Sequence, residues 1–289
     1  MRIAVASGKG GTGKTTIATS LALSLAASRE VWFMDCDVEG PNSHIFLKPA
    51  FDREANAVIR IPRVDKDICT LCGKCVEVCQ FHAMAQVGGS ILVFPQLCHG
   101  CGSCTWNCPV GAISEIPNPI GKLEAGFAKE GIHFSQGVLT ISEPMPTPII
   151  RQLKKFSQTS DDALVILDSP PGASCSAVET LRSSDFVILV TEPTPFGLHD
   201  LRQMVKIAEE MGIPCGVVIN RDGQGYPPMD DFLGQNQIPV FMRVPFKRTI
   251  AEGTAQGKPL IEIYPEYKTE FQNIFQQISN LMDEVSNAA

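Results

Sequence analysis

Short apolar runs separated by amphipathic stretches set the rhythm of most of the chain. Arg2–Ala6, Val31–Met34, Ala163–Leu167, Phe186–Thr191, Cys215–Asn220 and Ile238–Pro245 are nearly unbroken apolar runs. Such runs fit strands buried on both faces of a parallel sheet. Thr16–Leu23 reads as a helix, and so do the stretches ending near Phe156 and Met211. Tyr264–Val285 is amphipathic, with Phe271, Ile274, Phe275, Ile278, Leu281 and Met282 near helical spacing. The alternation predicts an α/β protein with a doubly wound, mostly parallel sheet.

Between Arg60 and Ile116 the pattern breaks. The predicted division is an α/β domain made of residues 1–58 and 117–289, interrupted by a small α+β unit over 59–116. Ile116-Pro117-Asn118-Pro119-Ile120-Gly121 reads as the exit turn from that unit. Lys122–Glu143 then reads as short strands with turns, Gly137–Ile141 among them, with no catalytic motif.

Composition sharpens this picture in two places. The net charge of −7 gives no support for binding nucleic acid. No apolar run approaches the roughly 18 residues of a membrane span, and the chain enters a strand after one residue, so a cytoplasmic protein without a signal peptide is expected. Eight of the eleven cysteines fall between residues 69 and 108. In a reducing compartment such a cluster points to metal ligands or catalysis rather than disulfides.

The first chemical motif is Gly8-Lys9-Gly10-Gly11-Thr12-Gly13-Lys14-Thr15, followed by Thr16. It fits the phosphate-binding template and lies between a strand and a helix, as that template requires. Glycines let backbone N–H groups and the helix N-terminus surround a triphosphate. Lys14 would reach the β- and γ-phosphates, and the Thr15 hydroxyl would ligate Mg²⁺. Two strand ends supply acids: Asp35 and Asp37 after Val31–Met34, and Asp168 after Ala163–Leu167. Asp168 is the expected Mg²⁺ carboxylate, with Asp35 supporting the metal shell.

The second motif occurs twice. Cys69, Cys72, Cys75 and Cys79 repeat as Cys98, Cys101, Cys104 and Cys108 at an offset of 29, with Gly73 matching Gly102 and Ala83 matching Ala112. This is the spacing of a bacterial two-cluster ferredoxin, in which the fourth cysteine of each run serves the other cluster. The expected ligand sets are Cys69, Cys72, Cys75 and Cys108 for cluster one, and Cys98, Cys101, Cys104 and Cys79 for cluster two. A pair of zinc sites is the rival, for which this spacing is poor. Cys79 is followed by Gln80 where the pattern has proline, whereas Pro109 keeps it. His82 and His99 are expected to pack or lie exposed rather than to ligate.

The second lysine, Lys9, makes the loop resemble the deviant phosphate loop of MinD/ParA/Mrp ATPases and of the nitrogenase iron protein. That resemblance implies an ATP-sandwich homodimer in which Lys9 stabilises transferring charge in trans. The run from Asp35 to Asn42 resembles the family's switch I, which implies that Asp37 positions the attacking water. Asp168-Ser169-Pro170-Pro171-Gly172 resembles switch II, with the Gly172 N–H offered to the γ-phosphate. The resemblance also assigns Asn220 to the adenine edge, with Pro245 a weaker base-pocket candidate. It raises Cys175 as a ligand of a dimer-interface cluster, against a plain reading as a small buried residue. Thr191–Asp200 resembles MinD-like ATPases with an inserted ferredoxin.

The expected cofactors are therefore ATP/ADP, Mg²⁺ and two 4Fe-4S clusters. The expected function is an ATPase whose dimer switch is coupled to electron transfer toward a redox partner. The alternative is an Mrp-like assembly or carrier ATPase with an iron–sulfur client. A positioning ATPase is disfavoured, because acids outweigh Lys268 in the terminal helix, which suits neither an anionic membrane nor nucleic acid.

Overall fold

In the computed structural model, residues 1–160, 162–223 and 225–288 are described, the side chains of 285–288 excepted. Strand β1 (Arg2–Ala6) leads through the glycine loop into α1 (Lys14–Leu25), and β2 (Val31–Asp35) leads into the short α2 (Ser43–Leu47). Strand β3 (Ala50–Val64) follows, then the short helix α3 (Lys74–Glu77), the hairpin of β4 (Met84–Val87) and β5 (Ser90–Val93), and helix α4 (Ser103–Trp106). Strand β6 (Ile113–Phe127) returns antiparallel to β3, before β7 (His133–Leu139) and α5 (Thr147–Phe156). Alternation then resumes with β8 (Leu164–Asp168), α6 (Cys175–Leu181), β9 (Phe186–Thr191), α7 (Pro195–Glu210), β10 (Cys215–Asp222), α8 (Pro227–Gln235) and β11 (Val240–Pro245). Helices α9 (Arg248–Ala255), α10 (Leu260–Ile263) and α11 (Tyr267–Ala288) end the described chain.

The nine-stranded sheet runs β11-β10-β9-β1-β8-β2-β7-β6-β3. The first seven strands are mutually parallel, and β6 and β3 are antiparallel additions at one edge. Apolar side chains leave both faces of the parallel strands, so helices cover both. On one face, Ile17 and Leu21 of α1 and Phe271, Ile274 and Ile278 of α11 pack on Ile3, Phe33 and Ile166. On the other, Ile149 and Leu153 of α5 and Leu201 and Met204 of α7 pack on Ala4, Met34 and Leu167. The stripe on the terminal helix is thus core packing. Among the described residues no helix is long and apolar enough to cross a membrane.

One stretch departs from the sequence expectation. The run Ile116–Gly121 is not a turn but the middle of β6, a single 15-residue strand. Its ladder to β7 stops at Gly121, while its ladder to β3 continues to Val64 opposite Ile113. Beyond Gly121, β6 therefore has a neighbouring strand on one side only, and that open side tolerates Pro117 and Pro119. The two strands form a ribbon that leaves the sheet edge and carries residues 65–112 at its end. The expected strand at Gly137–Ile141 belongs to β7, which ends at Leu139; Ile141 lies outside it, exposed.

Candidate functional site

The glycine loop joins β1 to α1 at the carboxyl ends of the parallel strands, where ligands of open α/β sheets bind. Gly13 occupies the position before α1 with φ 94°, and a Cβ there would stand 2.3 Å from Asn220 Nδ2. Only glycine fits. No side chain caps α1, so its first N–H groups remain available to an anion. Lys14 and Thr12 are buried beside it, and Thr12 Oγ1 has no partner.

The metal-binding candidates converge because adjacent strands end together: Asp35 of β2 stands in register with Asp168 of β8. Thr15 Oγ1 donates to Asp168 Oδ2 at 2.6 Å, and Ser43 Oγ donates to the same oxygen at 3.1 Å. Asp168 Oδ1 is buried without a partner, an orphaned carboxylate oxygen aligned with a hydroxyl that fits a divalent cation. Asp35 is used differently. Its Oδ1 accepts from Asp37 N at 3.1 Å, and its Oδ2 accepts from Asn42 N at 3.0 Å and Ser43 N at 2.9 Å. Asp35 therefore shapes the loop that bears Asp37 and Ser43. Ser43 was missed in the sequence, where one serine after an Asn carries no signal of its own.

Burial, then the charge of Asp35, holds the Asp168 carboxyl above its ordinary range, while Lys14 opposes the shift. Burial likewise raises Asp35 against its three backbone donors. Asp37, half-buried, is pushed up to about 6 by burial and by Asp35, again against Lys14. A bound cation would reverse the local preference for neutral carboxyls.

Three other expected residues are already engaged. Lys9 Nζ lies 3.0 Å from Glu192 Oε2. Gly172 N donates to Ser7 O at 2.9 Å, so a γ-phosphate would have to take this donor from the loop. Asn220 Nδ2 donates to Thr12 O at 2.7 Å, leaving a second amide hydrogen. Asn220 and Pro245 line one cavity together with Gly13, Thr16 and Lys247. Glu192, which also receives Arg221 Nη1 at 2.6 Å, lies in the Thr191–Asp200 run, whose resemblance gave it no role of its own.

In the unit at the end of the ribbon the two cysteine runs fold alike. Gly73 and Gly102 precede α3 and α4 with φ 73° and 75°. The backbone N–H of Ala83 donates to Cys79 Sγ at 3.3 Å, and that of Ala112 to Cys108 Sγ at 3.3 Å. Cys79, Cys98, Cys101 and Cys104 line one cavity, with Arg60, Phe81, His99 and Glu115 around it. Cys75 belongs to a small core with Met84, Ile91 and Ile113, against which Cys69 and Cys108 pack, as do Cys79 and Cys104. His99 stacks on Phe81 at 3.7 Å between ring centres. Among the described residues no three Cys, His, Asp or Glu side chains converge to hold a single metal ion. A cubane binds each thiolate through a different iron, so four sulfurs around a cavity suit it better than four on one point. Cys175 is exposed at the first position of α6, not buried.

The sheet order and the loop at its centre define a P-loop nucleotide-binding protein. The chain belongs to the CobQ/CobB/MinD/ParA nucleotide-binding domain family, whose model matches residues 3–260. It is 29% identical to an uncharacterized protein of Methanocaldococcus jannaschii over 97% of each chain. It is 27% identical to the cytosolic Fe-S cluster assembly factor Nubp2 homolog of Anopheles gambiae, covering 92% of this chain and 91% of that protein. The septum site-determining protein MinD with Mg-ADP from Pyrococcus horikoshii shares the fold at TM-score 0.56, with 20% identity over 98% of this chain and 95% of that one.

Proposed function

We propose that this chain is an ATP-hydrolysing iron–sulfur protein of the cluster-assembly class, carrying two 4Fe-4S clusters in a ferredoxin-like unit over residues 59–116. The observation that carries the reading is a phosphate loop with its carboxylates on the same sheet as a ribbon bearing two matched cysteine quartets. The name of the Anopheles relative supports the assembly class. Thr15 and Asp168 hold Mg²⁺, Asp35 fixes the loop, Lys14 and Gly172 meet the γ-phosphate, and Asp37 orients water. Asn220 and Pro245 border the base. Lys9 serves the partner in an ATP-dependent homodimer. Cys69, Cys72, Cys75 and Cys108 hold one cluster; Cys79, Cys98, Cys101 and Cys104 hold the other. Bound clusters supply one-electron chemistry and a transferable iron–sulfur unit. Their free thiols suit the cytosol.

The test is cluster transfer from the anaerobically reconstituted chain to an apo-ferredoxin, with and without Mg-ATP. Transfer accelerated by Mg-ATP supports the assembly class; loss of transfer in Cys175→Ala assigns delivery to switch II. Clusters that stay bound while Mg-ATP alters their reduction rate would transfer the reading to electron transfer. One observation favours that second reading: Cys79, Cys98 and Cys108 each accept a backbone N–H, the kind of bond that retains and tunes a resident cluster.

A further inference from the structure

We infer that α5 couples both nucleotide switches to the second cysteine quartet, Cys79, Cys98, Cys101 and Cys104, and leaves the first quartet outside that coupling. The inference rests on the nucleotide and cluster reading above, and it concerns regulation of that same site.

Helix α5 contacts four things at once. At its start it meets switch I. A Cβ on Gly137 would stand 2.7 Å from Val38 Cγ1 and 2.8 Å from Ile149 Cγ2, so these side chains close over the glycine. Val38 directly follows Asp37 and is fully buried, as is Ile149. Ile149 also covers β6, where a Cβ on Gly121 would stand 2.6 Å from its Cδ1.

Along another side α5 holds the helix that follows switch II. Arg151 Nη2 binds the buried Glu179 at 2.9 Å. Lys154 Nζ donates to Glu179 O at 2.7 Å, Thr180 O at 2.9 Å and Arg182 O at 2.7 Å. Three orphan carbonyls at the end of α6 thus share one ammonium. Helix α6 begins at Cys175, three residues after Gly172, so movement of Asp168–Gly172 would pass to it, and α6 is clamped to α5.

Toward the ribbon, α5 replaces a missing strand contact. The β3–β6 register slips between Ala57 and Val58. There Gln152 Oε1 accepts from Val58 N at 3.0 Å, and Gln152 Nε2 donates to Val58 O at 2.9 Å. One and two residues further on lie Ile59 and Arg60. A Cβ on Gly100 would stand 3.0 Å from Arg60 O and 3.5 Å from Ile59 Cβ. The loop Cys98-His99-Gly100-Cys101 therefore rests on the backbone that Gln152 grips.

The asymmetry follows from the packing. Cys98, Ala83, Ile59 and Ile61 belong to the same apolar core as α5. Cys69, Cys75 and Cys108 of the first quartet touch only the small core beyond Val64, which Cys104 also borders and which Cys79 joins to the larger one. Coupling passes through contiguous packed groups with two discrete arrangements. Here the core of α5 touches the second quartet directly, at Cys98 and Cys79, and no cysteine of the first.

Hydrogen exchange of the full-length, cluster-loaded chain, with and without Mg-ATPγS, tests this. The expected result is a nucleotide-dependent change of about fivefold or more at residues 168–181 and 95–104, with residues 65–76 unchanged. Gln152→Ala should abolish the difference at 95–104 and keep it at 168–181. Arg151→Ala, an exposed side chain on the other side of the clamp, should do the same; it covers the case in which Gln152→Ala loosens the ribbon in both states. The inference is overturned if both variants keep the response at 95–104, if 65–76 responds equally, or if 95–104 is silent while 168–181 responds. Silence at 168–181 as well would remove the nucleotide reading itself, and the coupling with it.

Discussion

Lys9 is bound to Glu192 of its own chain: Nζ stands 3.0 Å from Oε2, and Arg221 holds the other carboxylate oxygen at 2.6 Å. A lysine that serves a partner's nucleotide must first leave this carboxylate. Glu192→Gln removes the charge that retains it, so we expect more ATP-dependent dimer at a given protein concentration, read by analytical ultracentrifugation with Mg-ATPγS. Lys9→Ala should keep nucleotide binding and lower turnover by about 10³-fold or more, the scale of a trans cation at a transferring phosphoryl group. Unchanged turnover in Lys9→Ala would remove the trans role.

The raised carboxyl of Asp37, at about 6, gives a signed pH dependence. Water is oriented by the carboxylate form, so turnover should fall at acid pH, toward about tenfold per pH unit, with a midpoint that bound Mg²⁺ draws below the nucleotide-free value of about 6. The folded state binds this proton more tightly than the unfolded chain. Stability of the nucleotide-free protein should therefore fall as pH rises from the ordinary carboxylate value of 3.8 toward about 6. Asp37→Asn should abolish turnover and flatten the stability profile in that window. A nucleotide-free stability that does not fall between pH 3.8 and about 6, or an Asp37→Asn variant with wild-type turnover, would exclude this role for Asp37.

Asp168 lies buried with one unpartnered oxygen beside the charge of Asp35. Without metal, that charge is destabilising. Asp168→Asn should raise the melting temperature of the nucleotide-free protein by about 2 °C for each 1 kcal/mol relieved. The same change should remove most of the stabilisation by Mg-ATP, which for wild type is about 2.7 kcal/mol at a hundredfold excess over Kd. A variant that melts lower without ligand, or gains as much from Mg-ATP as wild type, would contradict the proposed metal role. Differential scanning calorimetry with and without EDTA reads both.

The two cysteine quartets can be separated chemically. Cys101→Ser, in the second quartet, should lower iron by about half while leaving one cubane spectrum. Cys72→Ser should do the same through the first. Iron and sulfide analysis with electron paramagnetic resonance distinguishes this from zinc, which would give metal but neither sulfide nor signal. Total loss of iron from either single variant would show that the quartets do not assemble independently.

Much of this was legible in sequence because the signals are local. Gly8–Thr16 carries its loop, and the apolar runs fix the parallel strands. The cysteine spacing repeats in the matched geometry of Gly73 and Gly102. What was not legible depends on distant partners. Pro117 and Pro119 look like punctuation until β6 is seen to have an open side. Ser43 and Asp168 are 125 residues apart in the chain yet share a hydrogen bond. Glu192 sits in a run that resembles a known one but names no role for it, and its function as a counter-charge appears only when Lys9 and Arg221 fold against it. Gln152 reads as an ordinary helix polar residue; its partner is a backbone irregularity that no local pattern announces.

The apolar seam from Leu167 and Ile149 through Ile59 and Ile61 to Ala83 and Cys98 has a consequence for the life of the protein. The cysteine-bearing end is not a tethered accessory that can fail alone. Oxidative damage at Cys98 would open one wall of the core shared with the phosphate-binding half. Damage there would be felt as a lower melting temperature of the nucleotide-binding half as well.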